Sequence, residues 1–406
     1  MKKYLALLLA LAMCFALAAC GSSAPAQNAS SAPAADSAPA ADAAPAAEAS
    51  SDPIKLGFIG PLSGANAAVG NSSLDGVKFA VDEVNAAGGI NGRPIELIPY
   101  DDENDATVAV SMCNKLIDND EVSCIIGSVN SSVTLAAMTV TQDAGMPHIT
   151  PISSGASITN SGYEYIIRVQ LNDLKQAEAI TNYMVDDLGM TRIACMYQND
   201  DYGGGGNDVI KDVMKSKGLE LVADEAFEAN SEDLSAQLVN VKAANPEGLI
   251  MFCMYSPGAT IANQARQMGL DCPLFGCGGL TNAKLYELAG QNVVGVVNTQ
   301  PFLAGADAVN DFSAAFIDNW TNAKGVSPDS NSAMSYDCVY VFKAGAEYSL
   351  EKYGDLAGDH LMEGMHAIKD MPLATGTITI AENGDADREV MLLVRLNEDG
   401  TYSLAK

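Results

Sequence analysis

The sequence predicts an α/β protein of two lobes, each built on a doubly wound parallel sheet. Three observations lead there. Short apolar runs alternate with helical stretches at the spacing of βαβ units. That alternation restarts as a second set near residue 191. The chain beyond about Ile54 is also long enough for two domains.

In the first set, residues 54–60 form an apolar run closed by Gly60 and Pro61, hence a strand. Residues 72–87 carry Leu74, Val77, Phe79, Ala80 and Val84 at spacings of three and four and then meet Gly88-Gly89, which predicts a helix and its stop. A strand at 95–100, a helix at 107–119, a strand at 122–127, a helix from Val133 and the run His148-Ile149-Thr150 continue the series. In the second set, strands are expected at 191–197, 219–226, 248–253 and 293–299, with helices at 208–217, 233–244, 259–268 and 282–288. Residues 310–368 read as strongly helical, and β-like runs at 377–380, 389–396 and 402–404 close the chain around Asn383-Gly384 and Asp399-Gly400 turns.

Ahead of this lies a different kind of sequence. Met1-Lys2-Lys3, an apolar run over 5–19 and Leu17-Ala18-Ala19-Cys20-Gly21 have the basic start, short apolar core and small residues of a secretory signal. Cys20 at the first mature position matches the bacterial lipobox, whose thiol carries a diacylglycerol. The run is short of the ~20 residues that span a bilayer, and stable tethering takes more than one acyl chain at Cys20. Residues 1–19 are therefore expected to be removed. Residues 20–53 then supply the lipidated Cys20 and an Ala/Ser/Pro linker too poor in apolar residues to fold, with a span of ~30 Å. The protein is expected outside the cytoplasm, held to a membrane through this anchor.

The formal charge of −29 argues against nucleic acid as a partner, because phosphate binding needs a Lys/Arg face and the sequence has no basic cluster. It suits solubility instead. Beyond Cys14 and Cys20 seven cysteines remain, an odd number, several inside strand-like runs, and most are expected as buried free thiols. No CxxC spacing exists and His148, His360 and His366 form no ligand set, so neither metal nor cofactor is expected. Gly203 to Gly206 lack the Lys-Ser/Thr of a phosphate loop and read as a loose helix start. Ser63 directly before Gly64 is no nucleophile elbow. The chain is not expected to be an enzyme.

Two places suit an anion. Ser131 follows a strand and opens a helix, and Ser153-Ser154-Gly155 begins a helical turn after Pro151. Both present backbone N–H groups and partial positive charge, the means to hold a carboxylate, or else their serines are simple N-caps.

Gly60-Pro61-Leu62-Ser63-Gly64 with Gly70, the run from Gly88 through Gly92-Arg93-Pro94 to Leu97, and Tyr100-Asp101-Asp102 resemble the opening of the leucine/isoleucine/valine-binding proteins, the type I solute-binding proteins of ABC importers. The match continues through Gly127, Ser131-Ser132, Pro151, Arg168, Asp201-Tyr202-Gly203, Gly276, Tyr336-Asp337 and Gly376. The resemblance implies two Rossmann-like lobes joined by a three-crossing hinge, with lobe 1 at 54–172 and 301–386 and lobe 2 at 173–300 and 387–406. Ligand would lie in the cleft between them. It further implies that the Ser131 hydroxyl and the Ser154 hydroxyl and amide bind the ligand's α-carboxylate, that Ser132, Ser153 and Gly155 belong to the same ligand site, and that Tyr202 and Tyr255 line lobe 2, unless these tyrosines are packing residues.

Two positions depart from the family. Val69 stands where the first loop carries an aromatic, and Gly278 stands where an acid takes the ligand's ammonium. A buried ammonium without a counter-charge is expensive. Either another carboxylate substitutes, with Asp337 a candidate that can equally be a helix-surface or hinge residue, or the ligand is a carboxylate or amide without that amine. The expected partners are a small amino-acid-like solute and the permease and ATPase subunits of an importer, with the protein itself a monomer. The rival role is that of a ligand-sensing lipoprotein in signalling.

Overall fold

The computed structural model describes residues 52–306, 309–388 and 391–406. The signal sequence, Cys20 and the linker up to residue 51 lie outside them.

The first run of elements is β1 (Ile54–Gly60), α1 (Ala67–Ala86), β2 (Ile95–Asp101), α2 (Ala106–Asp118), β3 (Cys124–Ile126), α3 (Ser131–Asp143), β4 (His148–Thr150) and β5 (Ile166–Arg168). The second is α4 (Asp173–Asn182), β6 (Ile193–Gln198), α5 (Asp201–Ser216), β7 (Ala223–Phe227), α6 (Ser235–Ala244), β8 (Gly248–Phe252), α7 (Tyr255–Gln267), β9 (Leu274–Gly276), α8 (Ala283–Ala289) and β10 (Val297–Gln300). Then come α9 (Asp311–Lys324), α10 (Ser330–Lys352), α11 (Gly358–His366), β11 (Met371–Leu373), β12 (Gly376–Ile380), β13 (Ala386–Arg388), β14 (Leu392–Leu396) and β15 (Tyr402–Leu404).

A five-stranded sheet runs β2-β1-β3-β4-β5, parallel throughout. A seven-stranded sheet runs β15-β14-β10-β9-β8-β6-β7, parallel except where β14 and β15 add an antiparallel edge. Strands covered by helices on both faces must be apolar along their length. Gly248–Phe252 is accordingly buried at every position, and β1 at all but one. The helices α9, α10 and α11 and the small antiparallel sheet β11-β12-β13 pack on the first sheet, with Phe302, Phe316, Trp320, Tyr336 and Phe342 sharing one core with Phe58 and Ile126. The chain thus passes between the two cores three times: after β5, after β10, and between β13 and β14.

The alternating pattern is as the sequence predicts, with differences at short or polar elements. β5 and β9, three residues each, and the polar helix α4 carry no period of their own. Gly203 to Gly206 are no loose start: they lie inside α5, whose N-cap Asp200 accepts from Gly203 N at 2.9 Å. A Cβ at Gly203 would sit 2.0 Å from the Gln198 carbonyl oxygen and one at Gly206 2.1 Å from the Phe252 ring, so these glycines let α5 lie against β6 and β8. The seven cysteines of the described residues are free thiols, all buried except the partly exposed Cys272. Among the described residues no helix is long and apolar enough to cross a membrane.

Candidate functional site

The carboxyl ends of both parallel sheets face each other across a cleft, the place where open α/β sheets bind ligands. Its cavity is lined by Val129, Asn130, Ser131, Ile152, Ser154 and Gln170 on one side and by Gln176, Tyr202, Met254, Gly278 and Gly279 on the other. The enclosed space is ≈ 20 Å³, whereas pockets for small molecules run to about 300–1,000 Å³. A solute of amino-acid size therefore enters only if the two sides separate.

The first wall is built by β3 and α3. Asn130 caps α3 by accepting from Ser132 N at 3.0 Å, which leaves the first turn of the helix facing the cleft. The Ser131 hydroxyl accepts from Gly155 N at 3.0 Å, so its own hydrogen is left to donate. Ser154 lies on an irregular stretch before a turn rather than at a helix N-terminus, contrary to the sequence expectation. The fully buried Arg168 holds it in place. Arg168 Nη1 donates to the carbonyls of Ser154 at 2.8 Å and Gly155 at 2.6 Å, Nη2 to Thr159 Oγ1 at 2.8 Å, and the guanidinium pairs with Asp385 at 2.6 Å.

On the second wall Tyr202, in the first turn of α5, accepts from Gly279 N at 3.0 Å and stacks obliquely on Phe252 at 4.8 Å. Burial holds its phenol well above the ordinary tyrosine range, so it stays a neutral donor. Gln176 stitches this wall together. Its Nε2 donates to the Leu171 carbonyl at 2.9 Å, while Oε1 accepts from Gly278 N at 2.9 Å and Thr299 Oγ1 at 3.2 Å. The glycine at 278 therefore leaves no open space: a Cβ there would stand 2.9 Å from Gln176 Oε1.

Of the sequence-predicted residues the structure brings Ser131, Ser154, Tyr202 and Gly278 to the cavity, and the others elsewhere. Ser153 is turned inward, bonding Thr134 Oγ1 at 2.7 Å and the Ser128 carbonyl at 3.3 Å. Gly155 gives its N–H to Ser131 and its carbonyl to Arg168 and Ile158 N. Ser132 donates to Asp201 Oδ2 at 2.8 Å and Asn130 Nδ2 reaches Asp200 Oδ2 at 3.3 Å, both across the cleft mouth. Tyr255 Oη donates to the Ala65 carbonyl at 2.6 Å, also from one side to the other. Val69 sits on helix α1 rather than in a loop and is buried in the core cluster of the second sheet.

Asp337 is far from any amine role. It lies within α10, fully buried, and accepts from Ala374 N at 2.8 Å, Thr375 N at 3.1 Å and Thr375 Oγ1 at 2.5 Å. Both its oxygens are occupied by the segment that leads into β12.

One residue the sequence reading passed over stands directly behind Ser154. Asp173, the first residue of α4, donates its N–H to the Ser154 carbonyl at 2.9 Å. Its side chain is fully buried and neither carboxylate oxygen has a hydrogen-bond partner. Burial pushes its pKa up to about 7, with the Asp200 charge adding to this and the nearby Ser154 hydroxyl and Arg168 charge opposing it. An acid opening a helix reads in sequence as a complement to the helix dipole; only the fold reveals that it is fully buried and, among the described residues, makes no ion pair at contact distance. Among the described residues no group of three or more His, Cys, Asp and Glu side chains could hold a metal ion.

Residues 53–401 match the family model described as a periplasmic binding protein. The chain is similar to the leucine-, isoleucine-, valine-, threonine-, and alanine-binding protein of Pseudomonas aeruginosa, 28% identical over 359 residues that cover 88% of this chain and 93% of that one. Among solved structures it resembles the leucine-binding protein LivK of Thermotoga maritima, 25% identical with a TM-score of 0.81 over 87% of this chain and 98% of that one. It also resembles the branched-chain amino acid transporter substrate-binding protein LivJ of Streptococcus pneumoniae in complex with isoleucine, 27% identical with a TM-score of 0.79 over 86% and 98%.

Proposed function

Because the chain belongs to the periplasmic binding protein family, of the type I branched-chain amino acid branch, a family of solute binders rather than enzymes, we propose that it captures a small aliphatic amino acid between its lobes outside the cytoplasm and hands it to an ABC permease. The lobes divide as 54–172 with 301–386 and 173–300 with 387–406, and Cys20 of the Leu17-Ala18-Ala19-Cys20 signal is the membrane anchor. The ligand's carboxylate is held by the first turn of α3 with the Ser131 and Ser154 hydroxyls. Tyr202 closes over it from the second lobe.

The observation that carries the amino-acid reading is Asp173. A fully buried carboxylate whose oxygens have no hydrogen-bond partner, beside the carboxylate-binding serine, is the acid that the glycine at 278 does not supply. An ammonium brought next to it satisfies both groups at once. The test is calorimetry with leucine, isoleucine, valine, threonine and alanine, alongside the des-amino analogue 4-methylpentanoate. Binding of an amino acid together with failure of the des-amino acid supports the reading.

A second reading has its own observation. With Asp173 held near neutrality at about 7, its protonated form could donate to a ligand that has no amine. In that case 4-methylpentanoate or its amide binds at least as tightly as leucine. Transport is favoured over sensing because the relatives described above are named as amino-acid-binding and transporter substrate-binding proteins.

A further inference from the structure

Past the end of β10, between the start of α10, the segment leading into α8 and the β14–β15 turn, runs a groove of ≈ 350 Å³ that shares no lining residue with the cleft cavity. Its walls come from both lobes: Phe302, Leu303 and Ala304 on one side, Asn282, Ala283 and the Tyr402 ring on the other. Gln300 and Ser330 also line it, 2% and 3% exposed. Neither Gln300 Nε2 nor Ser330 Oγ has a hydrogen-bond partner. A buried amide and hydroxyl without partners are costly and call for an acceptor. At the rim, Asp329 already accepts from Ser72 Oγ at 2.6 Å and from Ser332 N at 2.8 Å, so its carboxylate is fixed there and repels an anion.

We propose that this groove is a second small-molecule site, separate from the cleft. It takes an uncharged molecule with an apolar body and an amide or carbonyl oxygen, toward which the covered Gln300 Nε2 and Ser330 Oγ turn to donate. Since both lobes form the walls, an occupant favours the arrangement in which they meet. By linkage it then raises the affinity of the cleft for its own ligand, and the cleft ligand does the same for the groove. This consequence rests on the closure reading above; the site does not.

Benzamide is a suitable probe, with saturation-transfer NMR on the intact chain as the readout. Binding is expected in about the millimolar range for so small a molecule. It should be abolished both by Gly305→Trp and by Ala283→Trp, which fill the groove from opposite lobes, and retained in Ser131→Ala. Gly305 and Ala283 are exposed, and a Cβ at Gly305 meets nothing within 4 Å, so a circular-dichroism melt of each variant should match the parent. The part of the signal removed by the tryptophans should be at least ~10-fold weaker for benzoate, whose charge meets Asp329. Absence of transfer from benzamide, or binding that survives both tryptophans and disappears in Ser131→Ala, overturns the site. A benzamide-induced rise in leucine affinity that Gly305→Trp removes supports the coupling, and a site confirmed without that rise overturns the coupling alone.

Discussion

Tyr255 Oη donates to the Ala65 carbonyl at 2.6 Å, joining the first turn of α7 in the second lobe to the loop ahead of α1 in the first. Its neighbours in this role are Ser132 with Asp201 at 2.8 Å and Asn331 Nδ2 with the Thr281 carbonyl at 3.1 Å. These bonds are made only while the lobes meet, and each partner can be hydrated when they part. They therefore belong to the closing equilibrium rather than to ligand contact.

Tyr255→Phe should weaken ligand affinity about 2- to 13-fold, the effect of one neutral hydrogen bond of ~0.5–1.5 kcal/mol acting through closure. The ring stays, so packing and the melting temperature of the unliganded protein should hardly change. Calorimetry together with small-angle scattering checks this: the free variant should be more open, and an unchanged affinity would separate this contact from closure.

The two cleft serines should behave differently. Ser154→Ala removes a cavity hydroxyl and should cost ~1–3 kcal/mol of binding with little effect on the free protein. Ser131→Ala should cost a similar amount of binding and also destabilise the free protein by ~1–3 kcal/mol, because the buried Gly155 N–H loses its acceptor at 3.0 Å. Chemical denaturation beside calorimetry separates the two effects. A Ser131 variant that loses stability but not affinity would reduce the residue to a structural one.

Asp173 gives the binding a pH signature. Its folded pKa, about 7, lies above the ordinary carboxylate range, so the native state holds its proton more tightly than the unfolded chain. Stability of the free protein is then full below about pH 4 as far as this group is concerned, and is lost as pH rises from about 4 to about 7. Ligand ammonium prefers the ionised form, so affinity should rise up to about tenfold per unit as pH increases toward 7, with proton release on binding below it. Asp337 and Asp102 also titrate near 6, but Asp337 is sequestered by Ala374 and Thr375, and Asp102 by Ser128 and Asn104. Asp173→Asn should abolish the steep pH dependence of binding and stabilise the free protein at pH 8. Calorimetry in buffers of different ionisation enthalpy reads the proton release directly.

Much of this was legible in the chain. The strand and helix periods of β1, α1 and β8 are strong because both faces of the sheets are buried, and Ser131 was findable as a residue opening a helix after a strand. What the sequence conceals is direction and partnership. Ser153 and Ser154 are adjacent and chemically identical, yet one turns to Thr134 and the other to the cavity. Asp337 and Asp173 are both buried acids on helices, and only three-dimensional packing reveals that the first is fully hydrogen-bonded and the second not at all. Gln176, which sits on the polar helix α4, gave no signal because its three bonds reach Leu171, Gly278 and Thr299 from separate parts of the chain.

Gly278 offers the sharpest case of that difference. From sequence alone, Gly278→Glu restores the missing acid and should strengthen amino-acid binding. The structure reverses the expectation. A Cβ at 278 stands 2.9 Å from Gln176 Oε1, so the new side chain must push Gln176 out of its bonds with Gly278 N and Thr299 Oγ1. It also brings a second carboxylate toward the unpaired Asp173, whose proton would then be held more tightly still. Gly278→Glu alone should lower the melting temperature and weaken leucine binding, by ~1–3 kcal/mol for the broken buried hydrogen bonds. Gln176→Ser frees the space, and Asp173→Asn removes the competing charge. The triple variant should therefore regain the affinity that the single variant loses. Calorimetry on the series decides the matter: tighter leucine binding by Gly278→Glu alone would mean that Gln176 yields at little cost and that the ammonium sits at 278 rather than beside Asp173.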